Sequence, residues 1–464
     1  MPDHGLDAEG ACGGGERTSD ARRERHGDIP LLRRASRTRM PYERRRLSVA
    51  RGPADFKLRR RTMQRWLLRL HTRALPRGVR LDAVRLVLHF RAHQHREKTM
   101  KSTLSKVALV FCALTAVAGC ASTRTIPYTV DAHLASTPST VVWGYIPPGR
   151  NPVLTVKSGQ TVKIDTISHQ GLMSGIDPVS FFGAAGIAPA RVLKDAIDVY
   201  AKVQRPSDAG AHVLTGPVFV EGAEPGDMLE VRILHVDFRV PYGVNNSGPG
   251  SGALPNLHGK PAPKVINFDL ERKVALFAPG IEVPLSPFMG IMMVTPPEGR
   301  MLSTRPPGIY GGNLDMSRLV AGSSLYLPVF QPGAMFYTGD SHAVQGDGEV
   351  NGTAIEASLS PVLQFIVHKG GGKTMKWPRA EDASNYYVMG MDVDLNIAMS
   401  EAVQESVTFM QRQRNLAPGD AYALASIATS FGVSETVNHV RMIYGAIPKK
   451  IFSTNAPFWS TPQK

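Results

Sequence analysis

The run Val153-Leu154-Thr155-Val156, Lys157-Ser158-Gly159-Gln160, Thr161-Val162-Lys163-Ile164 alternates apolar and polar residues on either side of a Gly-containing turn. That is the pattern of strand, turn, strand. The same grammar returns twice. Val218-Phe219-Val220 leads into Glu224-Pro225-Gly226-Asp227 and then Leu229, Val231 and Ile233; later Leu325, Leu327 and Val329 lead into Gln331-Pro332-Gly333 and a strand toward Tyr337. Each turn sets a Gly, which tolerates positive φ, just before a new strand. The three units are only loosely alike and read as repeated β-hairpin logic. Helical spacing appears in two places. Val192, Leu193, Ala196, Ile197 and Tyr200 follow Pro189, and the tail from Leu395 to Tyr444 carries helical segments with Asp420 and Ser434 as N-cap candidates. The loop from Tyr242 to Pro263 is dense in Gly, Asn, Ser and Pro, and a connection of that length inside a compact domain is often functional. The expected fold class is α+β, mostly β, with a helical C-terminal layer.

The formal net charge of +15 suggests nucleic-acid binding until it is divided along the chain. Residues 1–99 hold 25 Lys/Arg against 11 Asp/Glu, whereas the rest holds 29 against 28. The main body is therefore nearly neutral. The Arg-rich leader reads as a disordered basic arm or as sequence ahead of a start called too early. At Met100 the sequence restarts as Met-Lys-Ser-Thr-Leu-Ser-Lys, followed by the apolar run Val107 to Ala118 and then Gly119-Cys120. A charged segment, a short apolar segment and small residues are the marks of an export signal. The apolar run is too short to cross a bilayer core, which takes about 20 residues. Val117-Ala118-Gly119-Cys120 resembles the lipobox of bacterial lipoproteins, with Cys120 as the lipidated residue. The expected organisation is leader 1–99, lipoprotein signal 100–120 and a catalytic-type domain 121–464. It places the mature protein on the periplasmic side of a bacterial membrane, held by a lipid anchor. Cys12, Cys112 and Cys120 all lie in or before the signal, so the mature chain offers no disulfide framework and no thiol nucleophile.

The densest polar cluster is Thr338-Gly339-Asp340-Ser341-His342, continuing to Gly346-Asp347-Gly348-Glu349. In an extended strand, residues two apart share a face with Cα atoms about 6.6 Å apart, so Asp340 and His342 can converge on one ion or water. Glycines at 346 and 348 allow a sharp turn that returns Glu349 to the same pocket. A metal on Asp and His ligands, with a Glu as shuttling base, would then be possible. The plainer reading is that Asp340 and Asp347 cap turns and His342 is structural. His212, at the mouth of a strand, is a ligand candidate or a satisfied strand-end histidine. Asp165 and His169 end another strand, facing either the pocket or water. Asp227 reads as the close of a Pro-Gly-Asp turn. Asn313 and Asp315 follow a Gly-rich segment where backbone N–H groups can face a substrate, or they simply form a turn. A Gly-x-Ser-x-Gly elbow is lacking, so serine catalysis has little support.

Taken in order, several blocks resemble the acetamidase/formamidase family. They are Thr137 to Gly144, Asp165 to Gly171, His212 to Pro217 with Glu221 to Asp227, Gly312-Asn313-Leu314-Asp315, and Gly339 to Glu349. The resemblance spans nearly all of the expected mature chain. It implies a β-sandwich or barrel-like scaffold and hydrolysis of a small linear amide to a carboxylic acid and ammonia, with a tendency to homo-oligomers. It also implies a divalent metal, zinc or calcium, on Asp340, His342 and His212. Glu349 would be the general base, with Asp340 and His342 beside it, and Asp165, His169 and Asn313 would contact the substrate. The expected partners are a small amide and, through the lipid anchor, the membrane, with no nucleic acid. The rival reading is a non-catalytic lipoprotein that keeps the fold to bind a small polar ligand.

Overall fold

The computed structural model describes residues 128–454 apart from 258, 261–262 and 298–300. The Arg-rich leader, the signal-like stretch and Cys120 lie outside the described residues. Two large sheets form the body. One has nine strands, in the order Ala132–Leu134, Thr161–Ile164, Leu359–His368, Met228–Phe238, Ser324–Pro328, Arg379–Glu381, Asn385–Asp392, Arg441–Pro448 and Ser430–Glu435. The other runs Pro307–Gly308, Gly311–Asn313, Phe288–Val294, Phe336–His342, Val213–Glu221 and Val141–Trp143, with Leu154–Lys157 added in parallel beside Val213–Glu221. A smaller four-stranded sheet includes Tyr242–Asn245. No closed barrel forms among the described residues. The fold is mostly β, as the alternating patterns imply.

One core joins the two large sheets. Val162, Val231 and Leu363 from the nine-stranded sheet share it with Val218, Ile291 and Phe336 from the other. The rings of Phe336 and Phe365 meet edge to face across the gap, with centroids 5.0 Å apart. Truncating such a ring costs about 3–5 kcal/mol. Phe288–Val294 is buried on both faces, which is why its sequence is an unbroken apolar run and not an alternation.

The three strand-turn-strand units are correctly placed but differently joined. None closes a hairpin. In each, the first and second strands belong to different large sheets, so the turn is an arch over the edge of the core. The second and third arches instead bind each other, through Gly226 N–H to Val329 C=O (2.9 Å) and Gly333 N–H to Ala223 C=O (2.8 Å). Pairing with a neighbouring arch satisfies the backbone that a hairpin ladder would otherwise satisfy. Asp227 is structural, as its turn context implies: its carboxylate accepts from the N–H groups of Glu224 and Gly370, each at 2.8 Å, and pairs with Lys369.

The C-terminal layer contains two helices, Leu395–Arg414 and Pro418–Ala428. Asp394 caps the first by accepting from Asn396 N–H (2.7 Å), and Asn415, at φ 52°, ends it in the left-handed conformation. The helical expectation over the tail fails beyond Ala428. Ser434 caps nothing; it lies in Ser430–Glu435, which pairs with Arg441–Pro448. Asp420 sits in the first turn of its helix, and Ala417 and Pro418 supply the start. A short helix at Pro178–Gly183, capped by Asp177, adds to the expected one at Lys194–Lys202.

Candidate active site

The Phe336–His342 strand is buried throughout and crosses the seven-stranded sheet between Phe288–Val294 and Val213–Glu221. Asp340 departs from extended geometry with φ 51°, and Asp315 and Glu349 share that left-handed backbone at 42° and 43°. A non-Gly residue held there costs of order 1–3 kcal/mol and persists where the surroundings fix it, commonly at working sites. For Asp315 the fixing contact is clear. Leu314 and Asp315 both donate their N–H to the Gly290 carbonyl, at 3.0 and 3.1 Å. A Cβ on Gly290 would fall 2.5 Å from Asp315 Oδ1 and 2.9 Å from Asp340 Oδ2, so the absent side chain makes room for both carboxylates.

Six further side chains close on this pair. Asp340 Oδ2 stands 3.7 Å from His212 Nε2 and 3.6 Å from His342 Nε2, while its Oδ1 is 3.5 Å from His169 Nδ1. His342 Nε2 is also 3.3 Å from Glu356 Oε1 and 3.9 Å from Asp315 Oδ1. His169, His212, Asn313, Asp315, Asp340, Glu349 and Glu356 line a cavity of about 210 Å³, whose wall also includes Arg305, Asn438 and His439. Outer contacts aim the ligand-type nitrogens. His212 Nδ1 lies 3.2 Å from the Thr304 carbonyl, and His169 Nε2 lies 3.0 Å from Gln170 Nε2. Each leaves the opposite ring nitrogen directed at Asp340.

Charge in this crowd is sorted by burial and neighbours. Burial would raise Asp340, but His212 and His342 outweigh it and hold its pKa well below the usual carboxylate range. Burial would lower His342, but Glu356 and Asp340 outweigh that and keep it well above the usual imidazole value. Burial lowers His212, and Asp340 only partly offsets the change. Asp315 is pushed well up by burial and the Asp340 charge, and Glu349 by burial and the Asp315 charge.

The buried atoms His169 Nδ1, Asn313 Oδ1, Asp315 Oδ1, Asp340 Oδ1, His342 Nε2 and Glu356 Oε2 have no hydrogen-bond partner among the described protein groups. Unpaired buried polar atoms are costly unless something binds them. Ligand-type atoms around them converge in three groups: His169, His212 and Asp340; Asp315, Asp340 and His342; and His342, Glu349 and Glu356. Those groups fit a cation. None of them holds both His212 and His342, so the expected trio of Asp340, His342 and His212 is divided, with Asp340 shared between two groups.

The sequence matches the model of the Acetamidase/Formamidase family over residues 194–305 and 298–454. The chain belongs to that family. It is similar to an acetamidase of Mycolicibacterium smegmatis, 30% identical over 226 residues that cover 36% of this chain and 56% of that protein. A formamidase of Methylophilus methylotrophus is 28% identical over 197 residues, 30% of this chain and 47% of that one. The chain thus spans about half the length of the curated relatives it matches. Among solved structures, a recombinant predicted acetamidase/formamidase of Thermoanaerobacter tengcongensis superposes with a TM-score of 0.58 at 25% identity, over 70% of this chain and 97% of that one. An acetamidase of Bacillus halodurans gives 0.57 at 26%, over 69% and 98%.

Within this acetamidase/formamidase fold, the sequence-expected residues separate cleanly by position. Asp340, Glu349, His212, His169 and Asn313 line the cavity, and His342 stands beside Asp340 and Glu356. Asp165 does not: its carboxylate is taken up by His133 Nε2 (2.9 Å) and Ser360 Oγ (2.5 Å), with Arg239 Nε 4.0 Å away, so the substrate contact expected of it is corrected to a structural role. Asp347 is likewise engaged by Ser317, Arg318 and Tyr444. Sequence reasoning missed Glu356, Glu435 and Asn438. Glu356 stands alone in Ala354-Ile355-Glu356-Ala357, and an acid isolated in an apolar run is the signal that would have found it. Asn438 binds Asp315 Oδ2 through Nδ2, and Glu435 Oε2 accepts from the N–H groups of Val437 (2.9 Å) and Asn438 (3.0 Å), which holds that loop against the cavity.

Proposed function

We propose that this chain hydrolyses the C–N bond of a small linear amide, giving a carboxylic acid and ammonia, with Glu349 as general base. One observation carries the reading: buried, unpartnered polar atoms of His169, Asn313, Asp340 and Glu356 belong to residues that line one cavity with Glu349. The names of the relatives, acetamidase and formamidase, supply the reaction class. The fold alone would not supply it.

His169, His212 and Asp340 are the residues we assign to a divalent cation. Two imidazoles and a carboxylate suit zinc better than calcium, which prefers oxygen ligands. When bound there, such a cation polarises a carbonyl and acidifies a water. The remaining chemistry falls to the chain. Asn313 Oδ1, buried and unpartnered, accepts an N–H of the substrate amide. Glu349 removes a proton from the attacking water as the C–O bond forms, then delivers it to the nitrogen as the C–N bond breaks. Burial and the Asp315 charge raise its proton affinity, which makes it a stronger base than an ordinary carboxylate. His342 and Asp340 fix the surrounding charge.

The export signal at residues 100–120 supports an extracytoplasmic, lipid-anchored setting for this activity. The test is ammonia release from formamide, acetamide and longer amides by metal-loaded protein, with Glu349→Gln as control. Turnover that disappears in a folded Glu349→Gln variant supports the proposal. Full activity in that variant removes Glu349 as base, and silence of the wild type across the panel favours a ligand-binding role.

A further inference from the structure

We infer that Arg305 selects amides carrying an anionic group, such as a carboxylate, at the end remote from the scissile bond. The inference rests on the hydrolase reading and names its substrate class. The cavity wall is electrically lopsided. Asp315, Asp340, Glu349 and Glu356 contribute four carboxylates, offset by three histidines close around them, whereas Arg305 and the imidazole of His439 are exposed. Among the described residues, no hydrogen bond or ion pair engages the Arg305 guanidinium. Its surroundings do not neutralise it fully either. Arg205 is near enough that burial and then the Arg305 charge lower its pKa, and its own guanidinium is spent on the Gly210 and Ala209 carbonyls (2.8 and 2.6 Å). Asp208, the acid beside Arg205, accepts the Tyr145 hydroxyl at 2.9 Å.

A carboxylate held by Arg305, an exposed residue of the cavity wall, leaves the other end of the molecule, the amide, to reach the buried polar groups. Arg also matches a carboxylate bidentately, which fixes direction as well as attraction. Size agrees. A cavity of about 210 Å³ exceeds the ~150 Å³ that holds benzene, a larger molecule than acetamide, even after ~30 Å³ is set aside for a water. There is room for a chain between the amide and a distal charge.

The experiment compares kcat/KM of the metal-loaded protein on succinamate and glutaramate with that on butanamide and pentanamide, in wild type, Arg305→Ala and Arg305→Lys. The expected wild-type preference for the anionic amides is about tenfold or more, falling by about 10–100-fold in Arg305→Ala, as for a lost hydrogen bond to a charged group. Arg305→Lys should retain part of it, and added salt should shrink it in wild type. Turnover of the neutral amides with no anionic preference, or a preference unchanged in Arg305→Ala, overturns the inference while leaving the hydrolase reading standing. If no amide is turned over, the hydrolase reading fails, and calorimetric titration of succinamate decides the inference: binding that is lost in Arg305→Ala supports it, and absence of binding overturns it.

Discussion

Gly290→Ala probes whether the paired carboxylates depend on the space that glycine leaves. Gly290 lies between the Met289–Ser341 and Ile291–Gly339 pairs of two buried strands, facing Asp340. An added Cβ would stand 2.5 Å from Asp315 Oδ1, 2.7 Å from the Asp340 carbonyl and 2.9 Å from Asp340 Oδ2, where ordinary contact begins at 3.4 Å. The closest carboxylate oxygen must therefore retreat by about 0.9 Å, the difference between those two distances. Retreat is resisted, since Leu314 and Asp315 N–H groups tie that turn to the Gly290 carbonyl. Overpacking of this kind costs about 1–3 kcal/mol, and the loss of glycine's backbone freedom returns about 0.4–1 kcal/mol. The fold should survive with a melting temperature lower by a few degrees. Activity should suffer far more, because displacing catalytic groups by about 1 Å can cost 10²-fold. Ammonia release by Gly290→Ala should thus fall by about 10²-fold with far-UV circular dichroism unchanged. Wild-type kcat/KM in a folded variant would refute the claim that Gly290 sets the carboxylate positions.

Other outcomes follow from individual contacts. Asn438→Ala removes the amide that holds Asp315 Oδ2, and kcat/KM should drop by about 10–100-fold with little change in melting temperature; an unaltered rate would show that Asp315 is positioned without it. Divalent metal should raise the melting temperature of wild type but not of Asp340→Asn, because binding to the folded state alone stabilises it; equal shifts in both would place the metal elsewhere. Glu435 is pushed by burial from 4.5 to about 7, so the folded state holds its proton more tightly than the unfolded state. That contribution is complete below about pH 4.5 and is lost as pH rises through about 7, up to roughly 3 kcal/mol. Chemical denaturation should show wild type losing stability relative to Glu435→Gln between pH 5 and 8, whereas parallel profiles would contradict the shift. Mass spectrometry of membrane-extracted protein should find a lipid on Cys120, and an unmodified chain beginning elsewhere would remove the anchor.

What the sequence disclosed about the fold was its local content. Alternation at 153–164, 218–233 and 325–337 identifies strands because a half-buried strand must alternate. It is silent on partner choice, since an arch and a hairpin need the same turn residues, and only packing of the two sheets decides between them. The tail shows the complementary failure. Apolar residues in Ser430–Glu435 and Arg441–Pro448 also satisfy a helical period, but they pair as neighbouring strands at one end of the nine-stranded sheet.

The site was legible where residues crowd together in the chain and hidden where the fold gathers them. Asp340, His342 and Glu349 sit within ten positions of one another, so strand geometry and two glycines bring them into view. Extended geometry nevertheless misstates how they meet. Asp340 is left-handed, and its carboxylate faces His169 through one oxygen and both His212 and His342 through the other. That two-sided exposure makes one carboxylate common to two ligand groups, which a same-face strand argument cannot produce. Glu356 reaches His342 from a separate segment, and Asn438 reaches Asp315 from the far end of the chain. The left-handed positions at Asp315, Asp340 and Glu349 thus connect fold to chemistry: each redirects the backbone at an energetic cost that the surrounding structure absorbs, and all three carboxylates line one cavity.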